Sequence, residues 1–161
     1  MPKALIPGTY DPVTLGHLDV IERATKIFSL VIVAVADSPT KGVGPLFSLE
    51  ERVHFIEEAT ANLPKVEVCP FNSLLVDVAR DKGVDTIVKG LRAVTDFDWE
   101  FQQAAINYQL NPDLETMFIM SYPQYMYLSS SMVKEVASMG GDISYWVTPL
   151  VKQELLKRLY S

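Results

Sequence analysis

The sequence predicts an α/β fold built on a doubly wound parallel sheet, and three observations carry that prediction. Five short runs of β-branched and bulky apolar residues occur at 4–6, 30–36, 66–69, 86–88 and 117–120, the signature of buried strands. Amphipathic stretches of helical length separate them. Strands alternating with such helices form βαβ units, whose right-handed crossovers set the strands parallel with helices on both faces. The loop after the first run, from Pro7 to His17, is dense in turn-forming residues. It leaves the carboxyl end of a strand, where open α/β sheets bind ligands.

The helices follow in chain order. Leu18, Ile21, Ala24 and Phe28 recur at spacings of three and four and share one helical face. Ser48-Leu49-Glu50-Glu51 is a capping box that opens a second helix carrying Val53, Ile56 and Ala59. A third helix is expected over 73–82, stopped by Gly83, and a fourth over 98–110, ended before Pro112. Ser129-Ser130-Ser131 open a short helix that runs to about Met139 and stops at Gly140-Gly141. Thr148-Pro149 start the last one.

At 161 residues the chain has the size of one domain able to bury most of its apolar surface. No linker, repeat or low-complexity segment interrupts it, so 1–161 reads as a single domain. No run reaches the length of a membrane span, and Pro7 cuts short the only apolar stretch near the start, so a cytoplasmic protein is expected. The single cysteine, Cys69, has no internal disulfide partner and reads as a small apolar strand residue. A net charge of −6 argues against broad binding to nucleic acid or to an anionic membrane. Any anion site must therefore be local, made of a few cations and backbone N–H groups.

Gly16-His17 falls at or just inside the first turn of the first helix. Helix starts present unpaired N–H groups and the positive dipole end, so an imidazole there could donate to a phosphate as charge builds on it. Equally, Thr14 could cap the helix and leave His17 an exposed first-turn residue. Lys41, in the loop after the second strand, reads on its own as a solvated surface lysine. Lys89 and Arg92, expected to follow the fourth strand, are two cations at the ligand edge of an acidic protein. His54 lies mid-helix and is assigned no role.

Four blocks in this order narrow the reading: Thr14-Leu15-Gly16-His17 with the preceding Pro7-Gly8-Thr9-Tyr10, Ser38-Pro39-Thr40-Lys41, Lys89-Gly90-Leu91-Arg92-Ala93, and Ser129-Ser130-Ser131-Met132-Val133-Lys134-Glu135. Together they resemble the bacterial phosphopantetheine adenylyltransferases, within the T-x-G-H nucleotidyltransferase superfamily. The resemblance implies a Rossmann-like nucleotidyltransferase fold and transfer of the adenylyl group of ATP to 4′-phosphopantetheine, with magnesium as cofactor and a homohexameric assembly.

By the same resemblance His17 is the catalytic residue. Thr9, Tyr10, His17, Gly90, Leu91, Arg92 and Glu100 meet ATP, as do Tyr125, Met126, Tyr127, Leu128 and the serines Ser129, Ser130 and Ser131. Thr9, Lys41, Leu75 and Lys89 meet the acceptor. No protein ligand for the metal is implied. Lys89 stands where the family typically has arginine, and Ser138 where it often has one. Among the serines an N-cap is also expected, and helical spacing with Val78 and Ala79 lets Leu75 serve equally as core.

Overall fold

The computed structural model describes residues 1–37, 44–93 and 97–161. Five strands, β1 (Lys3–Gly8), β2 (Leu30–Ala36), β3 (Val66–Phe71), β4 (Thr86–Leu91) and β5 (Glu115–Met120), form one sheet in the order β3-β2-β1-β4-β5. Every pairing is parallel. The chain winds outward from β1 to β3, then crosses back to lay β4 on the other side of β1. That reversal opens a crevice between the carboxyl ends of β1 and β4, the usual ligand position in such sheets.

Both faces of the sheet are covered, so the central strands are apolar throughout and side chains alternate between two cores. Ala4, Ile6, Val31, Val33, Val35 and Val88 pack with α1 (Leu15–Ala24), α2 (Leu49–Ala59), α5 (Ser130–Ser138) and α6 (Pro149–Tyr160). Leu5, Ile32, Ala34 and Ile87 pack with Val76 and Ala79 of α3 (Leu75–Lys82). A slip of one residue in any central strand would exchange the two cores.

Several boundaries differ from expectation. Helix α1 ends at Ala24, capped by Thr25, and Phe28 reaches the same core from the following turn, where its N–H bonds the Ala24 carbonyl at 2.9 Å. Helix α3 begins at Leu75 rather than Ser73, with no side-chain cap, and ends on Gly83 at φ 64°. Strand β4 continues to Leu91 because β5 extends alongside it, Lys89 opposite Phe118 and Leu91 opposite Met120. Lys89 is thus a strand residue, and only Arg92 lies beyond the strand end. Helix α4 (Phe97–Leu110) buries none of its residues.

Candidate active site

The crevice is a cavity of about 660 Å³ lined by Gly8, Thr9, Tyr10, Thr14, Gly16 and His17 from the end of β1, the loop after it and α1, by Lys89 and Gly90 of β4 with Arg92 just beyond it, by Trp99, Glu100 and Gln103 from α4, and by Tyr125 and Leu128. Its first wall is shaped by the turn that leaves β1. Tyr10 sits at φ 53°, an uncommon conformation for a bulky residue, and its ring folds back over the strand end. The hydroxyl donates to the Ile6 carbonyl at 3.1 Å, and the ring meets His17 edge-on with centroids 5.0 Å apart. A Cβ on Gly8 would stand 2.9 Å from the Tyr10 ring, so only glycine fits. Burial raises the Tyr10 pKa well above its ordinary value, so the phenol stays protonated and structural.

Behind this turn the Asp11 carboxylate is buried and takes the Leu46 and Phe47 N–H groups at 2.8 and 2.9 Å, with Lys134 Nζ at 3.0 Å. One side chain thereby ties the loop to the approach to α2 and to α5.

The first turn of α1 resolves what the sequence left open. Thr14 is the N-cap, and its hydroxyl oxygen accepts the His17 N–H at 3.3 Å. His17, three residues on, returns the contact: its Nδ1 accepts the Thr14 N–H at 2.9 Å. This is a capping box with an imidazole in the place usually held by glutamate. With Nδ1 an acceptor, the proton of the neutral ring sits on Nε2. Burial, aided by the Arg92 guanidinium, lowers the His17 pKa from 6.5 to about 4. At neutral pH the ring is therefore an uncharged, fixed donor in the cleft wall.

Fewer helix N–H groups are open than a bare helix start would offer. The Leu15 N–H is taken by the Trp146 carbonyl at 2.7 Å and that of His17 by Thr14. Among the described residues this leaves Gly16 as the first-turn donor still facing the cleft.

On the opposite wall Lys89 Nζ and Glu100 Oε2 form an ion pair at 2.6 Å, both partners largely buried. Arg92 Nη1 donates to the Leu128 carbonyl at 2.7 Å, which fixes the guanidinium beside the His17 side of the cavity. The serine segment is partly committed to structure. Ser129 is the N-cap of α5 and accepts the Met132 N–H at 3.1 Å, Ser130 donates to the Pro12 carbonyl at 2.8 Å, and Ser131 is exposed.

The geometry has counterparts. The cytidylyltransferase-like family model matches residues 5–136. A phosphopantetheine adenylyltransferase of Caulobacter vibrioides is 50% identical over 162 residues, covering 99% of this chain and 98% of its own. One from Caldanaerobacter subterraneus subsp. tengcongensis is 47% identical over 158 residues, 98% of both chains. The chain belongs to the phosphopantetheine adenylyltransferase family. A solved structure from Vibrio parahaemolyticus, provisionally described as a nicotinate-nucleotide adenylyltransferase, shares the fold with a TM-score of 0.69 at 17% identity, over 97% of this chain and 99% of that one.

Of the positions that the phosphopantetheine adenylyltransferase resemblance singles out, Thr9, Tyr10, His17, Leu75, Lys89, Gly90, Arg92, Glu100, Tyr125 and Leu128 line one cavity. Leu91, Met126, Tyr127, Ser129, Ser130 and Ser131 are not part of its lining. Leu91, Met126, Tyr127 and Ser129 adjoin residues that are, Ser130 and Ser131 do not, and Tyr127 is 70% exposed. Lys41 lies outside the described residues. Sequence reasoning passed over Phe71, Trp99, Gln103 and Ser121, which also line the cavity. For Gln103 a signal existed, since it lies three residues after Glu100 on the same helical face, and Trp99 lies four residues before Gln103. Phe71 and Ser121 follow from extending β3 and β5 to their ends.

Proposed function

We infer that this chain is an adenylyltransferase that joins the adenylyl group of ATP to 4′-phosphopantetheine, releasing pyrophosphate and giving dephospho-coenzyme A. One observation carries the chemistry: a neutral imidazole, locked by its own helix cap, shares a cavity with Lys89 and Arg92 at the switch point of the sheet. Such a site suits in-line displacement at phosphorus.

The acceptor phosphate, with a second pKa of about 6, is mostly dianionic at pH 7 and is itself the nucleophile. No protein nucleophile is required. Its oxygen attacks the α-phosphorus, the bond to the β-phosphate oxygen breaks, and pyrophosphate leaves with that electron pair. The protein aligns the two substrates and meets charge where it develops. His17 Nε2–H donates to the α-phosphate. Arg92 and the start of α5, through backbone N–H groups more than through the committed Ser129 and Ser130 hydroxyls, receive the triphosphate. Lys89, oriented by Glu100, and Lys41 hold the acceptor phosphate, while Leu75 packs along its arm.

Magnesium is proposed as the cofactor; with no protein ligand named for it, it would supply charge neutralisation at the phosphates. Among the described residues no cluster of three His, Cys, Asp or Glu side chains could hold a metal, and Glu100, the cavity's carboxylate, is paired with Lys89. A homohexamer is proposed as well. Its support here is α4, which leaves Phe97, Phe101, Ile106, Tyr108 and Leu110 at least half exposed on a single subunit, more apolar surface on one element than a lone subunit comfortably shows to water. No helix among the described residues is long and apolar enough to cross a membrane, which accords with a cytoplasmic enzyme.

The test is pyrophosphate release with ATP and magnesium across a panel of acceptors: 4′-phosphopantetheine, a pyridine mononucleotide and glycerol phosphate. Turnover with the first alone is expected. Preference for either of the others would overturn the acceptor assignment.

A further inference from the structure

Arg52 is the largest side chain among the described residues with less than 2% of its surface exposed. It sits in the first turns of α2, behind the cavity rather than in its lining. Among the described residues it pairs with no carboxylate. Its donors go instead to four backbone carbonyls: Nε to Phe47 at 3.2 Å, Nη1 to Thr9 and to Ala36 at 2.8 Å each, and Nη2 to Asp37 at 3.2 Å. These carbonyls come from three separate segments: the loop after β1, the end of β2, and the approach to α2.

Burying a cation without a counter-ion is costly unless its donors are satisfied, and here the satisfaction is entirely by peptide dipoles. A planar fork reaching several oxygens at once suits guanidinium and not ammonium. The consequence lies in the peptide between Thr9 and Tyr10. That unit is planar and trans, so its C=O and N–H point in opposite directions. With the Thr9 oxygen held by Arg52, which is not part of the cavity lining, the Tyr10 N–H points away from Arg52, and Thr9 and Tyr10 both belong to that lining. The uncancelled charge behind the peptide also polarises it, which strengthens that N–H as a donor. The left-handed φ of Tyr10 is the conformation in which this orientation is held.

We propose that Arg52 is a positioning residue for the transfer reaction, acting through the Thr9–Tyr10 peptide to aim the Tyr10 N–H at a phosphate of the bound nucleotide while clamping the end of β2 beside it. This rests on the reading of the cavity as a nucleotide site, and not on the identity of the acceptor.

The experiment has two arms on the full chain. In the first, the protein is labelled with ¹⁵N at its seven tyrosines and titrated with ATP. The Tyr10 amide proton is expected to move downfield, reporting a new charge-assisted hydrogen bond. An unmoved Tyr10 amide at saturating ATP overturns the proposal, even if every Arg52 variant fails to fold. In the second arm, Arg52→Lys and Arg52→Met are compared with Leu155→Ala, a core change remote from the cavity, by urea unfolding and by ATP binding. All three lose stability, but the Arg52 variants are expected to bind ATP at least tenfold more weakly, with the methionine variant worse than the lysine variant. Leu155→Ala should stay within twofold of the wild type. ATP affinity that simply follows stability across the three would make Arg52 a core residue only and sink the proposal. Because neither arm uses an acceptor, a wild type that binds ATP yet ignores 4′-phosphopantetheine would refute the proposed function and leave this test readable.

Discussion

Replacing His17 with asparagine separates the two jobs of that side chain. The Asn oxygen can stand where Nδ1 stands and keep accepting the Thr14 N–H, now held at 2.9 Å, so the capping box survives. What disappears is the donor at the Nε2 position. Since the ring titrates near pH 4, that donor is a neutral N–H throughout the working range, and its removal is the loss of one preorganised hydrogen bond to developing charge. Such a loss costs about 10² to 10³ in kcat, roughly 3 to 4 kcal/mol of transition-state stabilisation. ATP affinity should change by less than about threefold, because the ground-state phosphate is met by other donors as well. The assay is pyrophosphate release at saturating substrates beside calorimetric binding of ATP. The pH profile adds a second check. The acid limb near pH 6 belongs to the second ionisation of the acceptor phosphate, so it must persist unchanged in His17→Asn. Activity within tenfold of the wild type, equal losses in kcat and ATP affinity, or disappearance of that limb would each refute the assignment of His17 as a neutral transition-state donor.

The same depressed pKa makes a stability prediction. Unfolded His17 takes a proton near 6.5 and the folded form only near 4, so between those values the unfolded state binds more protons; stability is fully present above pH 6.5 and falls by up to about 3 kcal/mol as the pH drops to 4. Urea midpoints across that window should show the slope in the wild type and a shallower one in His17→Asn. Gly8→Ala, whose Cβ would meet the Tyr10 ring at 2.9 Å, should displace a ring pinned at both ends, costing about 1 to 3 kcal/mol of stability and more than tenfold in turnover. Lys89→Met should raise the KM for 4′-phosphopantetheine by at least about tenfold and that for ATP far less, with Glu100→Gln giving a milder form of the same pattern because its loss frees Lys89 to wander; steady-state kinetics on both substrates decides this. The pair Phe101→Glu and Ile106→Glu, on the exposed surface of α4, should lower the sedimentation coefficient while leaving the far-ultraviolet circular dichroism of the subunit intact.

The fold was legible because its central strands are covered on both faces. A strand such as Leu30–Ala36 must then be apolar at every position, and that pattern survives in a single sequence. Helix ends with side-chain caps were legible too, Ser48 and Glu51 above all. Where a boundary depended on a partner strand or on the backbone, it was not. Lys89 was expected beyond β4 because nothing in Lys89-Gly90-Leu91 resembles a strand on its own. Pairing with Phe118, Ile119 and Met120 makes it one. Helix α4 was expected over 98–110 and is found there, but its apolar residues are spread around its circumference and none is buried. A hydrophobic pattern with no single face leaves the packing side of such a helix unread.

At the site, the sequence set a helix cap against a functional histidine as rivals, and the geometry makes them one device. The Thr14 N–H occupies Nδ1 and thereby decides which nitrogen carries the proton, so capping is what leaves Nε2 as the donor. Arg52 and Asp11 went unread for a related reason. Each acts on backbone groups outside its own segment, Arg52 on the carbonyls of Thr9, Ala36 and Asp37 besides that of nearby Phe47, and Asp11 on the N–H groups of Leu46 and Phe47. A one-letter sequence displays side chains and hides peptide dipoles. A charged residue whose partners are mostly main chain therefore looks like a solvated one, although it orients the peptides of the loops that wall the cavity. The motif Thr14-Leu15-Gly16-His17 names the side chain proposed to meet the reacting phosphate. The direction in which the neighbouring peptides point is set by buried charges that no local motif contains.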